Sequence, residues 1–142
     1  MLNIKVIVGS TREGRFSEKV LPWLTVELDK VKDVAYEILD LRDWAMPFFD
    51  YAMSPAYVKD GQYPNETATK FATKIAEVDA FIIISPEYNH GYPAVLKNVL
   101  DSVYAEWNNK AVGFISYGSV GGGRVVEQLR QVAVELQNGT DS

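Results

Sequence analysis

Ala80 to Ile84 is a continuous apolar run, and it leads directly through Ser85 into Pro86, Glu87, Tyr88, Asn89, His90, Gly91, Tyr92 and Pro93. A short run without polar alternation suits a strand covered on both faces, so helices must pack on either side of its sheet. Pro86 holds the chain out of the strand, and Pro93 suits the first turn of a helix starting near Ala94. In an open parallel sheet the ligand crevice lies beyond the carboxyl ends of the strands. An acid, an amide, an imidazole and two phenols stand between the two prolines at that edge. The loop is therefore the first candidate for function.

With 142 residues, 47% of them hydrophobic and 23% charged, the chain reads as a single α/β domain over residues 1–142 with one substantial core. A net charge of −5 leaves no basic footprint for nucleic acid. The amino terminus, MLNIKVIVGS, enters a strand at once and has neither a signal-peptide pattern nor a transmembrane length. A cytoplasmic protein without a membrane partner is expected. The absence of cysteine excludes disulfides, thiol catalysis and thiolate metal sites. The one histidine, His90, has no GxSxG elbow to join, so a Ser-His-Asp hydrolase is disfavoured and no metal site is expected.

Asn3 to Val8 is a β-branched run followed by Gly9, Ser10, Thr11, Arg12, Glu13, Gly14, Arg15, Phe16 and Ser17. Strand, Gly/Ser/Thr/Arg loop and helix make the layout of an anion-binding turn, where free N–H groups and the positive helix end meet a phosphate. Hydroxyls donate hydrogen bonds, glycines permit close approach, and Arg12 and Arg15 can add charge-assisted contacts. Neither a Walker A sequence nor GxGxxG is present, so a single terminal phosphate fits better than a triphosphate or pyrophosphate. The same residues also read as a plain helix start, with Ser17 as N-cap and both arginines solvated.

Helical spacing covers Ser17 to Lys32, with Pro22 disturbing its early part, and Ala35 to Leu41 reads as a second, more exposed strand. Arg42 to Asn65 is a long loop rich in proline and aromatics that packs by its own side chains, with Phe48 and Phe49 covering one end of the core. A helix follows from Asn65 or Thr67 to Glu77, and another from Ala94 to Tyr104. Tyr104 and Trp107, near the end of the latter, suit either core packing or a subunit interface. Lys110 to Ser116 is a fourth strand, Tyr117 to Arg124 a second glycine-rich loop, and Val125 to Leu136 a last helix. The tail, Asn138 to Ser142, offers no fifth strand.

The stretches GSTREGRFSEKV, SPEYNHGYPAVLKNVLD and SYGSVGGGR together resemble the NADPH-dependent FMN reductases, a flavodoxin-like family of quinone, chromate and azo-dye reductases. The resemblance covers essentially the whole chain and implies a doubly wound parallel sheet of order 2-1-3-4; the chain departs from the family in that the usual fifth strand is expected to be missing. It implies that Ser10, Arg12, Arg15, Phe16 and Ser17 surround the phosphate and ribityl chain of FMN. Pro86, Glu87, Tyr88 and Asn89 would lie along the isoalloxazine, Ser116 and Tyr117 would close the other side, and Arg124 would touch NADPH. FMN is then the cofactor, NADPH or NADH the co-substrate, and a quinone, nitro or azo compound the small-molecule acceptor. Family members pair through their subunits, which implies a homodimer or homotetramer here.

Two rivals remain. A non-enzymatic flavodoxin-type electron carrier suits the acidic balance but not the two arginines of the first loop. A response-regulator receiver would need acids after the first strand and an Asp ending the third, where Gly9-Ser10-Thr11 and Ser85-Pro86 stand.

Overall fold

The computed structural model describes residues 1–140. Its parallel strands β1 (Leu2–Val8), β2 (Val34–Asp40), β3 (Ala80–Pro86) and β4 (Ala111–Tyr117) lie in the order β2-β1-β3-β4. This is the expected doubly wound arrangement. One expectation is corrected: Gly139–Thr140 forms a two-residue fifth strand, β5, paired in parallel with Ala111 and Val112. Asn138 guides the chain into that position, its side-chain amide donating to the carbonyls of Trp107 and Lys110.

Helices α1 (Ser17–Leu28), α2 (Glu66–Ala76), α3 (Ala94–Ser102) and α4 (Gly123–Glu135) supply the two outer layers. Val20, Leu24 and Leu28 of α1 pack on Val6, Val8 and Ile84 on one face of the sheet. The other face carries α2, α3 and α4 through Phe71, Ile75, Leu96, Val99, Leu100, Val125 and Leu129. Because the central strands are covered from both sides, Val6, Ile7, Val8 and Ile84 are fully buried, which explains their unbroken apolar runs.

Local chemistry fixes the helix starts. Asn65 accepts the Ala68 N–H at 2.7 Å and caps α2. No side chain within the helix caps α4; the Glu87 carboxylate reaches from the loop after β3 and accepts the Val125 N–H at 3.0 Å. An acid there also meets the positive end of the helix. Gly122, at φ 72°, turns the chain into α4 where a Cβ would stand 2.6 Å from Ser116 Cβ.

Of the two readings of Trp107 the structure bears out core packing: Leu100, Val103 and Trp107 all lie inside the core of the chain. Trp107 packs edge-on against Phe81 at 5.0 Å and near Phe71 at 6.1 Å, and its indole N–H donates to Val103 O. The long loop is corrected in the opposite sense. Phe48 is 79% exposed and Phe49 41%, so neither closes the core. Asn98 instead anchors the loop: Phe49 N–H donates to its Oδ1, and its amide donates to Met46 O and Pro47 O. Among the described residues no helix is long and apolar enough to cross a membrane.

Candidate functional site

The loops after β1, β3 and β4 meet in one cavity of about 300 Å³. Ser10, Arg12, Gly14, Arg15 and Phe16 line it from the first loop, Pro86, Glu87 and Tyr88 from the second, and Tyr117 and Gly118 from the third. Ser17 is buried at the start of α1, Ser116 sits in β4 with its hydroxyl donating to Gly121 O, and Asn89 is exposed at the tip of a turn. Ser17, Asn89, Ser116 and Arg124 therefore do not line the cavity, whereas most of the expected set does.

The first loop is held on its carbonyl side. Arg15 Nη1 donates to Ser10 O at 2.7 Å, while Arg42 donates to Thr11 O at 3.3 Å and to Arg12 O at 2.6 Å. Two carboxylates hold those guanidiniums. Asp40 accepts two parallel bonds from Arg15, at 2.7 and 2.5 Å, and Glu18 Oε1 accepts from both Arg15 Nε and Arg42 Nη1. The Arg15 guanidinium, hydrogen-bonded to Asp40, holds that carboxyl below its usual range against the opposing effect of burial; the Arg42 N–H adds to the lowering. Arg15, only 6% exposed, thus acts as an internal brace with most of its donors committed to protein oxygens. Arg12 differs: it is exposed, lines the cavity and has no side-chain partner among the described residues.

Ser17 is not the N-cap of α1. Phe16 holds that position without a side-chain cap bond, and the buried Ser17 hydroxyl has no partner. The buried Tyr117 hydroxyl is likewise unpaired. Burial pushes the Tyr117 phenol up, and Ser17 eases it back without reaching hydrogen-bond geometry. Phe16 stands edge-on to Tyr117 with centroids 5.1 Å apart, so two rings wall the cavity beside the first loop. Across from them Ser10 Oγ and Tyr88 OH are 3.0 Å apart, tying the first loop to the second.

The second loop is a tight turn. Tyr88 and Gly91 exchange backbone bonds at 2.9 Å, and Asn89 (φ 50°) and His90 (φ 68°) both lie in the left-handed region. Two positive values between paired residues define a type I′ turn, in which Asn is favoured at the first position. Glu87, just before it, donates its N–H to Tyr117 O and receives Arg124 Nε at 2.6 Å. Burial alone would raise the Glu87 carboxyl, but Arg124 and the Val125 N–H hold it below its usual range. Arg124 also meets His90 Nε2 at 2.6 Å, with that nitrogen accepting. Its guanidinium clamps the second loop to α4. Asp40, Arg42 and Glu18 were not foreseen, although the place of Asp40 at the end of β2 was a usable signal.

A doubly wound parallel sheet with an N–H-rich loop after β1 and aromatic loops after β3 and β4 defines a flavodoxin-like α/β protein. Residues 2–140 match the NADPH-dependent FMN reductases, and the chain belongs to that family. An NAD(P)H-dependent FMN reductase of Schizosaccharomyces pombe is 39% identical over 130 residues, covering 92% of this chain and 64% of the relative. A 2-hydroxy-1,4-benzoquinone reductase of a Burkholderia species is 31% identical over 146 residues, covering 95% of this chain and 72% of the relative. Among solved structures, the flavoenzyme NAD(P)H:(acceptor) oxidoreductase of Paracoccus denitrificans shares the fold, with a TM-score of 0.77 and 21% identity over 100% of this chain and 76% of its own. This chain spans about two thirds of the length of the relatives named here.

Proposed function

We propose that this chain binds FMN in the cavity between the loops after β1, β3 and β4 and works as an NAD(P)H-dependent oxidoreductase that reduces a quinone, nitro or azo compound, or similar acceptor. The observation that carries the reading is the convergence of an unpaired cation, Arg12, the Ser10 hydroxyl and two aromatic rings, Phe16 and Tyr117, on one cavity. The residues fit a phosphate at one end and a flat ring at the other.

In this reading Arg12, Ser10, Ser17 and the N–H groups of the first loop hold the phosphate, and Pro86, Glu87, Tyr88, Tyr117 and Phe16 border the ring. FMN supplies the hydride and electron transfer that no side chain here can perform. The chain's residues bind and orient it, and the clamp from Glu87 to Arg124 keeps the second loop in register with α4. The names of the relatives, FMN reductase and quinone reductase, support both cofactor and acceptor class. The reading includes a homodimer in the cytoplasm, with the exposed Phe48 and Phe49 beside α3 in the subunit contact. Light scattering should then report a dimer, and Phe48→Glu should shift the mass toward the monomer.

The deciding experiment is purification followed by release and identification of any flavin, then anaerobic addition of NADPH or NADH. A yellow protein that releases FMN and bleaches within seconds supports the reading. Release of FAD, or a protein that takes up no flavin, overturns it. A yellow protein that NAD(P)H does not bleach would be an electron carrier.

A further inference from the structure

We infer that Arg42 and Asp40, both outside the first loop, are positioning residues that aim three consecutive backbone N–H groups of that loop at the bound anion. The inference rests on the proposal that the loop receives the FMN phosphate. Its geometry comes from peptide chemistry. In a trans peptide the carbonyl of one residue and the N–H of the next point in opposite directions across a rigid plane. The described chain has no cis peptide. Fixing the carbonyls of Ser10, Thr11 and Arg12 therefore fixes the N–H groups of Thr11, Arg12 and Glu13.

Each of those carbonyls is held by a guanidinium, Ser10 O by Arg15 and the other two by Arg42. Among the described residues, the three N–H groups opposite them have no protein acceptor. The loop thus has its acceptors satisfied on one side and its donors left available on the other, an arrangement suited to an anion. Arg15 and Arg42 could not hold this pattern alone, because free guanidiniums would seek the anion themselves. Asp40 and Glu18 prevent that by pairing with them: Asp40 takes Arg15 in two bonds and the Arg42 N–H at 3.0 Å, and Glu18 joins both side chains. Two acids balance two bases, and Arg12 stays as the cation facing the cavity. Residues at the end of β2 and just beyond it thereby set the affinity of a loop after β1.

The test titrates the full chain with FMN and with riboflavin, which lacks the phosphate, following flavin fluorescence for wild type, Arg42→Met and Asp40→Asn. Wild type should prefer FMN. Arg42→Met should weaken FMN about tenfold, the scale of one charge-assisted bond, and leave riboflavin unchanged. Asp40→Asn, nearly the same shape, should produce the same selective loss and decides the matter if circular dichroism shows Arg42→Met unfolded. Folded variants that keep the wild-type preference for FMN overturn the inference and leave the function standing. An equal loss for both flavins also overturns it, since that marks general loosening. A wild type without preference for FMN overturns the phosphate reading itself, and the inference with it.

Discussion

The Gly9 N–H donates to the Ile84 carbonyl at 2.8 Å, and a Cβ on Gly9 would stand 2.8 Å from that same oxygen and 3.0 Å from Leu96 Cδ2. The first loop therefore leaves β1 in direct contact with the β3 backbone and with α3. No side chain can occupy that space without moving the loop off the sheet.

Gly9→Ala should accordingly destabilise the fold by about 1 to 3 kcal/mol, the usual cost of overpacking a filled site. Urea unfolding measures this directly. Because the displaced segment carries Ser10 and Arg12, the variant should also bind FMN less tightly than its remaining folded fraction explains. Wild-type stability would mean that β1 and β3 can separate at no cost at this point.

Trp107 makes a different prediction from the one its place in the sequence invites. At 1% exposure, between Phe71 and Phe81, it belongs to the core of its own subunit. Trp107→Ala should cost about 3 to 5 kcal/mol, read from denaturant unfolding. The mass of the folded protein by light scattering should stay that of the wild type. A folded, fully stable variant that dissociates would place Trp107 at an interface instead.

The strands, their order and the three loops at their carboxyl ends were legible because each depends on neighbours in sequence. An unbroken apolar run at Ala80 to Ile84 requires two covered faces, and hydroxyls and glycines after Val8 announce an N–H-rich turn. Partnerships across the fold were not legible. Nothing in periodicity joins Arg15 to Asp40 or Arg42 to Thr11, so the commitment of most Arg15 donors to protein oxygens does not show in the sequence. Arg124 was obscured in the same way by Glu87 and His90. Aromatic content in the loop after β2 indicated burial, yet Asn98 pins that loop by its backbone and leaves Phe48 outside. Two residues of β5 were too few to show as a pattern.

Acid should reveal the Asp40 pair. The Asp40 carboxyl titrates below its ordinary value in the folded chain, first because of the Arg15 hydrogen bonds and against the opposing effect of burial. Folding therefore favours the ionised form. The resulting stabilisation is complete above the unfolded value of about 3.9, and is lost as pH falls through the lower folded value. Asp40→Asn removes the charge and one strong acceptor from the buried Arg15, at a cost of about 2 to 3 kcal/mol at neutral pH. The stability difference between wild type and Asp40→Asn should shrink as the solution is taken below about pH 4. A difference independent of pH would show that the pair contributes through shape alone.

Arg12 carries the sharpest prediction about the site, because it is the arginine of the first loop that has not been given to a carboxylate. Arg15 is bound to Asp40 and Glu18, and Arg42 to Glu18, while Arg12 is exposed at the cavity with its side chain unpaired among the described residues. Its side chain therefore does little for the fold, and Arg12→Ala should unfold at the same urea concentration as wild type. Its removal should weaken FMN by about 1.5 to 3 kcal/mol, the range for a hydrogen bond to a charged group. Riboflavin, with no phosphate to meet the guanidinium, should bind the variant as it binds wild type. Added salt should narrow the gap for FMN, since screening acts on an exposed charge pair. Unchanged FMN affinity in a folded Arg12→Ala protein would move the phosphate away from Arg12 and leave the backbone N–H groups and the Ser17 hydroxyl to hold it.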